Sequence, residues 1–147
     1  MAGFKRFEDI EAWQIARELN LEVYRATRSG AFSRDFGLRD QIRRASISVS
    51  SNIAEGFARR TPKDFARFLT IARASAAEVC SQLYLALDLE YVAHDDFDRL
   101  YRLAQRAGGS CGGLIRYLRS SGPAAVREPE EVWTLEDVNP EPGTPNL

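Results

Sequence analysis

Seven cations fall between positions 39 and 67 of this chain: Arg39, Arg43, Arg44, Arg59, Arg60, Lys63 and Arg67. Six are arginines, whose planar guanidinium presents a fork of N–H donors matched to phosphate or carboxylate oxygens. The chemistry they suggest is anion recognition. Arg39, Arg43, Lys63 and the arginines at 59, 60 and 67 lie outside the apolar stripes of two adjoining predicted helices, so the pattern predicts one shared outward surface that attracts phosphates. The competing reading is a solvated face with intrahelical pairs, Arg39 with Asp35 and Arg67 with Asp64.

Between the two arginine groups the segment reads SISVSSNIAEG. Asn52 lies three residues beyond Val49 and shares its inward stripe, and Glu55 sits one turn further, so both are expected to be partly buried. Polar groups placed inside helical assemblies commonly fix register, and a structural role is assigned to Asn52 and Glu55. The serines are small enough for tight helix packing.

Catalytic chemistry finds few candidates. The single histidine, His94, falls at a predicted helix junction with Glu90 four residues away, where a di-iron bundle needs Glu-x-x-His on two helices. Nucleophilic catalysis lacks a base, since no second imidazole exists to serve a Ser or Cys. Cys80 and Cys111 form no CxxC and read as buried thiols. No P-loop or dinucleotide fingerprint is present. The expectation is a non-enzymatic protein with no catalytic residue, no metal site and no cofactor.

Four amphipathic segments must position these groups. The first runs from about Asp9 to Ser29 with apolar residues at spacings of three and four. It stops at Ser29-Gly30, and residues 32–37 read as a connecting loop. The second starts near Leu38, carries Leu38, Ile42, Ala45, Val49 and Ile53 inward, and ends before Thr61-Pro62. There Thr61 suits a cap, Pro62 the first helical position and Asp64 a capping box. The third helix follows, with Phe65, Leu69, Ala72, Ala76, Val79, Leu83 and Ala86 forming a heptad seam to about Glu90. The fourth begins at Asp95-Asp96 and runs from Phe97 to Leu118. It contains Gly108, Gly109, Gly112 and Gly113, which together cost about 4 kcal/mol relative to alanine. Either close backbone approach or a kink is expected to accommodate them. The predicted fold class is all-α, an antiparallel up-down four-helix bundle over residues 1–122. Residues 123–147 read as an acidic, proline-rich tail, flexible or loosely docked, in which Trp133 and Leu135 are possible anchors.

Composition agrees with a small globular domain: 147 residues, 44% apolar and 28% charged. No apolar run is long enough for a membrane span, the start lacks a secretory signal, and a cytoplasmic location is expected. The net charge of −1 is uneven, because the tail holds one Arg against six acids and leaves residues 1–122 at about +4.

FEDIEAWQIAREL followed by FGLRDQIRRASISVSSNIAEGFARRTPKDFARFLTIARASAAEVCSQLYLALDLEY resembles the four-helix-bundle proteins first noted as products of intervening sequences in large-subunit ribosomal RNA genes. The resemblance covers about residues 7 to 120 and rests on the QIRRA-like, NIAEG and KDFxxFL-like segments. It implies an up-down bundle that assembles as a ring-like homopentamer. It also implies kinship with the accessory variability determinant proteins of diversity-generating retroelements, whose basic pentamer is implicated in binding nucleic acid and a reverse transcriptase. On that resemblance Arg43, Arg44, Arg59, Arg60 and Lys63 are candidates for phosphate contact, and Asn52 and Glu55 for bundle architecture. This chain departs from the family in the serine-rich, proline-free QIRRASISVSSN segment, the glycines of the fourth helix and the acidic tail. The function expected is nucleic-acid binding, RNA or DNA, by a homo-oligomer through an arginine face. The alternative is a protein-interaction scaffold that docks a protein partner through the tail.

Overall fold

The computed structural model describes residues 3–120, so the predicted tail at 123–147 lies outside the described residues. A short 3-10 turn (Phe7–Asp9) precedes α1 (Glu11–Thr27), α2 (Gly30–Arg34), α3 (Phe36–Ala58), α4 (Pro62–Asp88) and α5 (His94–Ser120). The described residues contain no strand. The four long helices run alternately up and down, α1 on α3, α3 on α4, α4 on α5 and α5 back on α1. Among the described residues no helix is long and apolar enough to cross a membrane.

The seam predicted for α4 is the axis of the core. All seven residues from Phe65 to Ala86 are fully buried, as is the inward stripe of α3 from Ile42 to Ile53. Small residues face each other across α4 and α5, with Ala72 and Ala76 on one and Ala104, Ala107 and Cys111 on the other, all buried. That choice lets long helices approach closely at shallow angles.

Helix ends follow local chemistry. Thr61 Oγ1 accepts from the Asp64 backbone N–H at 3.2 Å, with Pro62 at the first helical position. The Asp64 carboxylate turns instead toward Arg67, so the reciprocal half of the predicted capping box is not formed. Asp35 caps α3, its Oδ1 accepting from Leu38 N–H at 3.1 Å. Its Oδ2 accepts from the Tyr91 hydroxyl at 2.9 Å, which ties the α4–α5 turn to the start of α3 and raises the phenol above its ordinary pKa.

The segment expected to be a loop at 32–37 is instead the short helix α2 and the first turn of α3. Its reason is Phe32, which is 1% exposed and lies 5.3 Å from the Tyr91 ring, closing the end of the bundle. Gly30 makes the reversal with φ +71°, a left-handed conformation that glycine adopts without steric cost.

Polar pins set the register between helices. Asn20 on α1 accepts from Ser46 Oγ at 2.7 Å and donates to Ser50 Oγ at 2.9 Å on α3. Ser48 on α3 meets Ser75 on α4 at 2.8 Å. Close to the Asn20 pins, Arg99 of α5 pairs with Glu22 of α1 and with Asp96.

The glycines of α5 do not break it, since the helix is continuous from 94 to 120. Gly108 and Gly112 are buried, whereas a β-carbon on Gly109 would meet nothing within 4 Å. Gly56, at the end of α3, is the opposite case: a β-carbon there would stand 2.6 Å from that of Phe68. Gly56→Ala is therefore expected to destabilise by about 1–3 kcal/mol through overpacking, and Gly109→Ala to stabilise by about 1 kcal/mol through helix propensity. Urea titrations of the two variants should move the midpoint in opposite directions, and a Gly56→Ala midpoint at or above that of the parent would contradict this packing.

Candidate nucleic-acid interface

The seven predicted cations are spread along α3 and into α4 as two groups and not one cluster, because Arg44 and Arg59 are fifteen residues apart on a continuous helix and its short extension, a rise of about 22 Å.

The group near the start of α3 is largely occupied in holding helices together. Arg39 Nε donates to Asp40 at 2.9 Å, its Nη1 donates to the Ser33 carbonyl at 3.0 Å, and its guanidinium lies 4.7 Å from the Phe36 ring centre. The Asp35 partner expected for Arg39 is engaged in capping instead. Arg43 Nε donates to Thr27 Oγ1 on α1 at 2.8 Å, with its guanidinium 4.4 Å from the ring of Tyr24. Arg44 is exposed and makes no ion pair among the described residues.

The second group surrounds the α3–α4 turn. Arg59 and Arg67 stand over the ring of Phe68 at 5.1 and 4.6 Å, and Arg60 lies 5.7 Å from the ring centre of Phe57. Lys63 is exposed beside them. Phe68 is 7% exposed yet sits apart from the continuous core, so guanidinium groups contribute to its cover. The two rings thus gather three guanidinium groups at one turn, each within cation–π distance of an aromatic ring.

Two carboxylates share this end. Glu55 pairs with Arg59 at 3.4 Å and Asp64 with Arg67 at 3.8 Å, the latter as the sequence predicts. Both pairs join side chains 41–59% exposed, where an ion pair contributes no more than about 1 kcal/mol. Separating such partners costs little. Glu55 is thus exposed, contrary to its expected partial burial, because it falls on the outer side of α3 one turn before the cap. Asn52 is half-buried as expected, its Nδ2 donating to the Ser48 carbonyl at 2.8 Å and to Ser48 Oγ at 3.0 Å.

Arg60 carries a further feature. Its φ is +67°, just beyond the C-cap of α3, where glycine is the usual occupant. A β-carbon in that conformation costs about 1 kcal/mol, so a charged side chain is held at the turn at the expense of stability. Sequence reasoning found the arginines but missed the rings beneath them. The available signal was the placement of Phe57 three residues before Arg60 and of Phe68 next to Arg67.

The thiols and the imidazole lie elsewhere. Burial pushes Cys80 up to about 12, and burial, partly countered by Arg73, pushes Cys111 up to about 12. Both are free thiols, protonated at neutral pH. His94 is exposed as the first residue of α5.

This arrangement of turn, cap and seam has a match at the level of sequence. The model of the 23S rRNA-intervening sequence proteins matches residues 8–111, which takes in α1, both arginine groups and most of α5. The chain belongs to the 23S rRNA-intervening sequence protein family. The fold is shared with a crystal structure of a protein of unknown function from the S23 ribosomal protein family of Bacteroides thetaiotaomicron. That likeness has a TM-score of 0.66 at 20% identity and covers 71% of this chain and 95% of the other. No curated protein matches the chain. The matched region ends within α5, and residues 112–120 continue that helix beyond it.

Two measurements check this description. Replacing Arg60 by Gly should raise the unfolding free energy by about 1 kcal/mol, read from urea denaturation; a loss of stability would mean that the side chain contributes more by contact than its backbone costs. Iodoacetamide at pH 8 should leave both native thiols intact while alkylating the denatured chain. Because the folded thiols titrate above the unfolded value of about 8.5, their contribution to stability is full below that pH and is lost as pH rises toward 12.

Proposed function

We propose that this protein is a non-enzymatic, homo-oligomeric bundle that binds nucleic acid through the arginine cluster at the α3–α4 turn. The observation that carries the reading is the gathering of Arg59 and Arg67 over Phe68 and of Arg60 over Phe57. It concentrates exposed cations at one turn, with Lys63 beside them. Arg44 adds a free cation at the other end of α3, while Arg39 and Arg43 serve mainly to join helices.

One cluster of four cations makes few phosphate contacts, and each alone is weak. Repetition around an assembly multiplies them, which is why the reading includes an oligomer, the pentamer that the family resemblance implies. Exposed apolar side chains on α1 and α3, Leu21 at 51%, Tyr24 at 40% and Ile47 at 40%, supply surface for contact between copies. The same side chains favour the second reading, a scaffold whose only partners are polypeptides. Light scattering distinguishes a monomer from an assembly.

Fluorescence anisotropy with a structured RNA and a duplex DNA tests the interface. The Arg59→Glu/Arg60→Glu/Arg67→Glu variant should lose at least tenfold in affinity and show a shallower dependence on salt. The same charge change made at Arg28, Arg34 and Arg102, exposed positions toward the opposite end, should alter affinity by no more than about twofold if placement and not net charge governs binding. Equal losses in the two variants, or no saturable binding by the parent at low salt, would defeat the proposal.

A further inference from the structure

The helix lengths place the end of α5 beside this cluster. α4 and α5 each contain 27 residues and run antiparallel through the turn at 89–93, so Ser120 returns to the level of Pro62. Adjacent packed helices lie about 8–10 Å apart. The chain that continues from Ser120 therefore starts within a helix diameter or two of Arg59, Arg60, Lys63 and Arg67.

What continues is the most acidic stretch of the sequence. Residues 123–147 contain Glu128, Glu130, Glu131, Glu136, Asp137 and Glu141 against Arg127 alone, a charge of −5, while the preceding 122 residues total +4. Glu128 is eight residues past Ser120, and eight residues span up to about 28 Å, more than the distance to be crossed. The cations offer what carboxylates require: exposed N–H donors whose local ion pairs with Glu55 and Asp64 are too exposed to hold them strongly. Attachment to the same end of the bundle gives the tail an effective concentration in the millimolar range.

We propose that the acidic C-terminal segment of this chain is itself the occupant of the α3–α4 arginine cluster, where it competes with nucleic acid. The proposal rests on the reading of that cluster as a polyanion-binding surface, and it makes occupancy a property of the free protein. Binding of a nucleic acid then requires displacement of the segment, so apparent affinity is lowered, most of all at low salt, where the segment is held most firmly.

The chain contains only two lysines, Lys5 and Lys63, and Lys63 lies within the cluster, which makes a direct test simple. Treatment of the full chain with a zero-length carbodiimide should join Lys63 to carboxylates between Glu128 and Glu141, mapped by mass spectrometry, with the yield falling in 0.5 M salt. A full-length variant with all six of those acids changed to their amides should lose these links. It should also bind a single-stranded RNA oligonucleotide on the order of tenfold more tightly than the parent at low salt. Absence of the cross-links together with unchanged RNA affinity overturns the inference and leaves the arginine interface standing. Cross-links in the parent with no RNA binding by either protein uphold the docking and sink the nucleic-acid reading instead.

Discussion

Phe65, Leu69, Ala72, Ala76, Val79, Leu83 and Ala86 lie along one side of a single helix and all are withdrawn from water. Burying so long a stripe requires a partner along its full length, and α3 and α5 provide it from the two sides. The chain must reverse tightly at both ends of α4 for this to occur. Those reversals decide which distant residues become neighbours. At one end Asp35 and Tyr91 meet, although 56 residues apart. At the other, Arg59 of the turn reaches Phe68 of α4 while Arg60 lies over Phe57 of α3, so both rings come under guanidinium groups.

Much of this architecture was legible in the sequence. The α4 seam and the α3 stripe were recoverable because each apolar residue recurs at a helical spacing, and Thr61-Pro62 marks a boundary through capping chemistry that is entirely local. What periodicity did not reveal was position along the helix axis. Arg39 and Arg59 both avoid the apolar stripe, so they read as members of one face, yet face membership says nothing about the length of helix between them. α2 escaped for a related reason. A single buried aromatic, Phe32, justifies that helix, and one residue has no period.

Polar pairing followed tertiary geometry more than sequence distance. Asp35 is four residues from Arg39 and a plausible partner on that ground, but its two carboxylate oxygens are taken by a backbone amide and a phenol. Asn20 carried no signal in the sequence, and its two bonds to Ser46 and Ser50 show why a serine-rich α3 suits this bundle. Small hydroxyls admit close approach and then specify it. Hydrophobic contacts between α1 and α3 tolerate small slides, whereas an Asn between two serines one turn apart satisfies its hydrogen bonds in a single alignment.

The glycines in the middle of α5 bear on how the molecule comes to be folded. With four of them in six residues, that stretch has little intrinsic tendency to be helical, and nucleating a turn there in isolation is unfavourable. Its regularity must be borrowed from α1 and α4, against which Leu100, Ala104, Cys111 and Ile115 are buried. Helix formation in the second half of α5 is accordingly coupled to its packing on α1 and α4, so that stretch takes its shape together with the assembled bundle and not ahead of it.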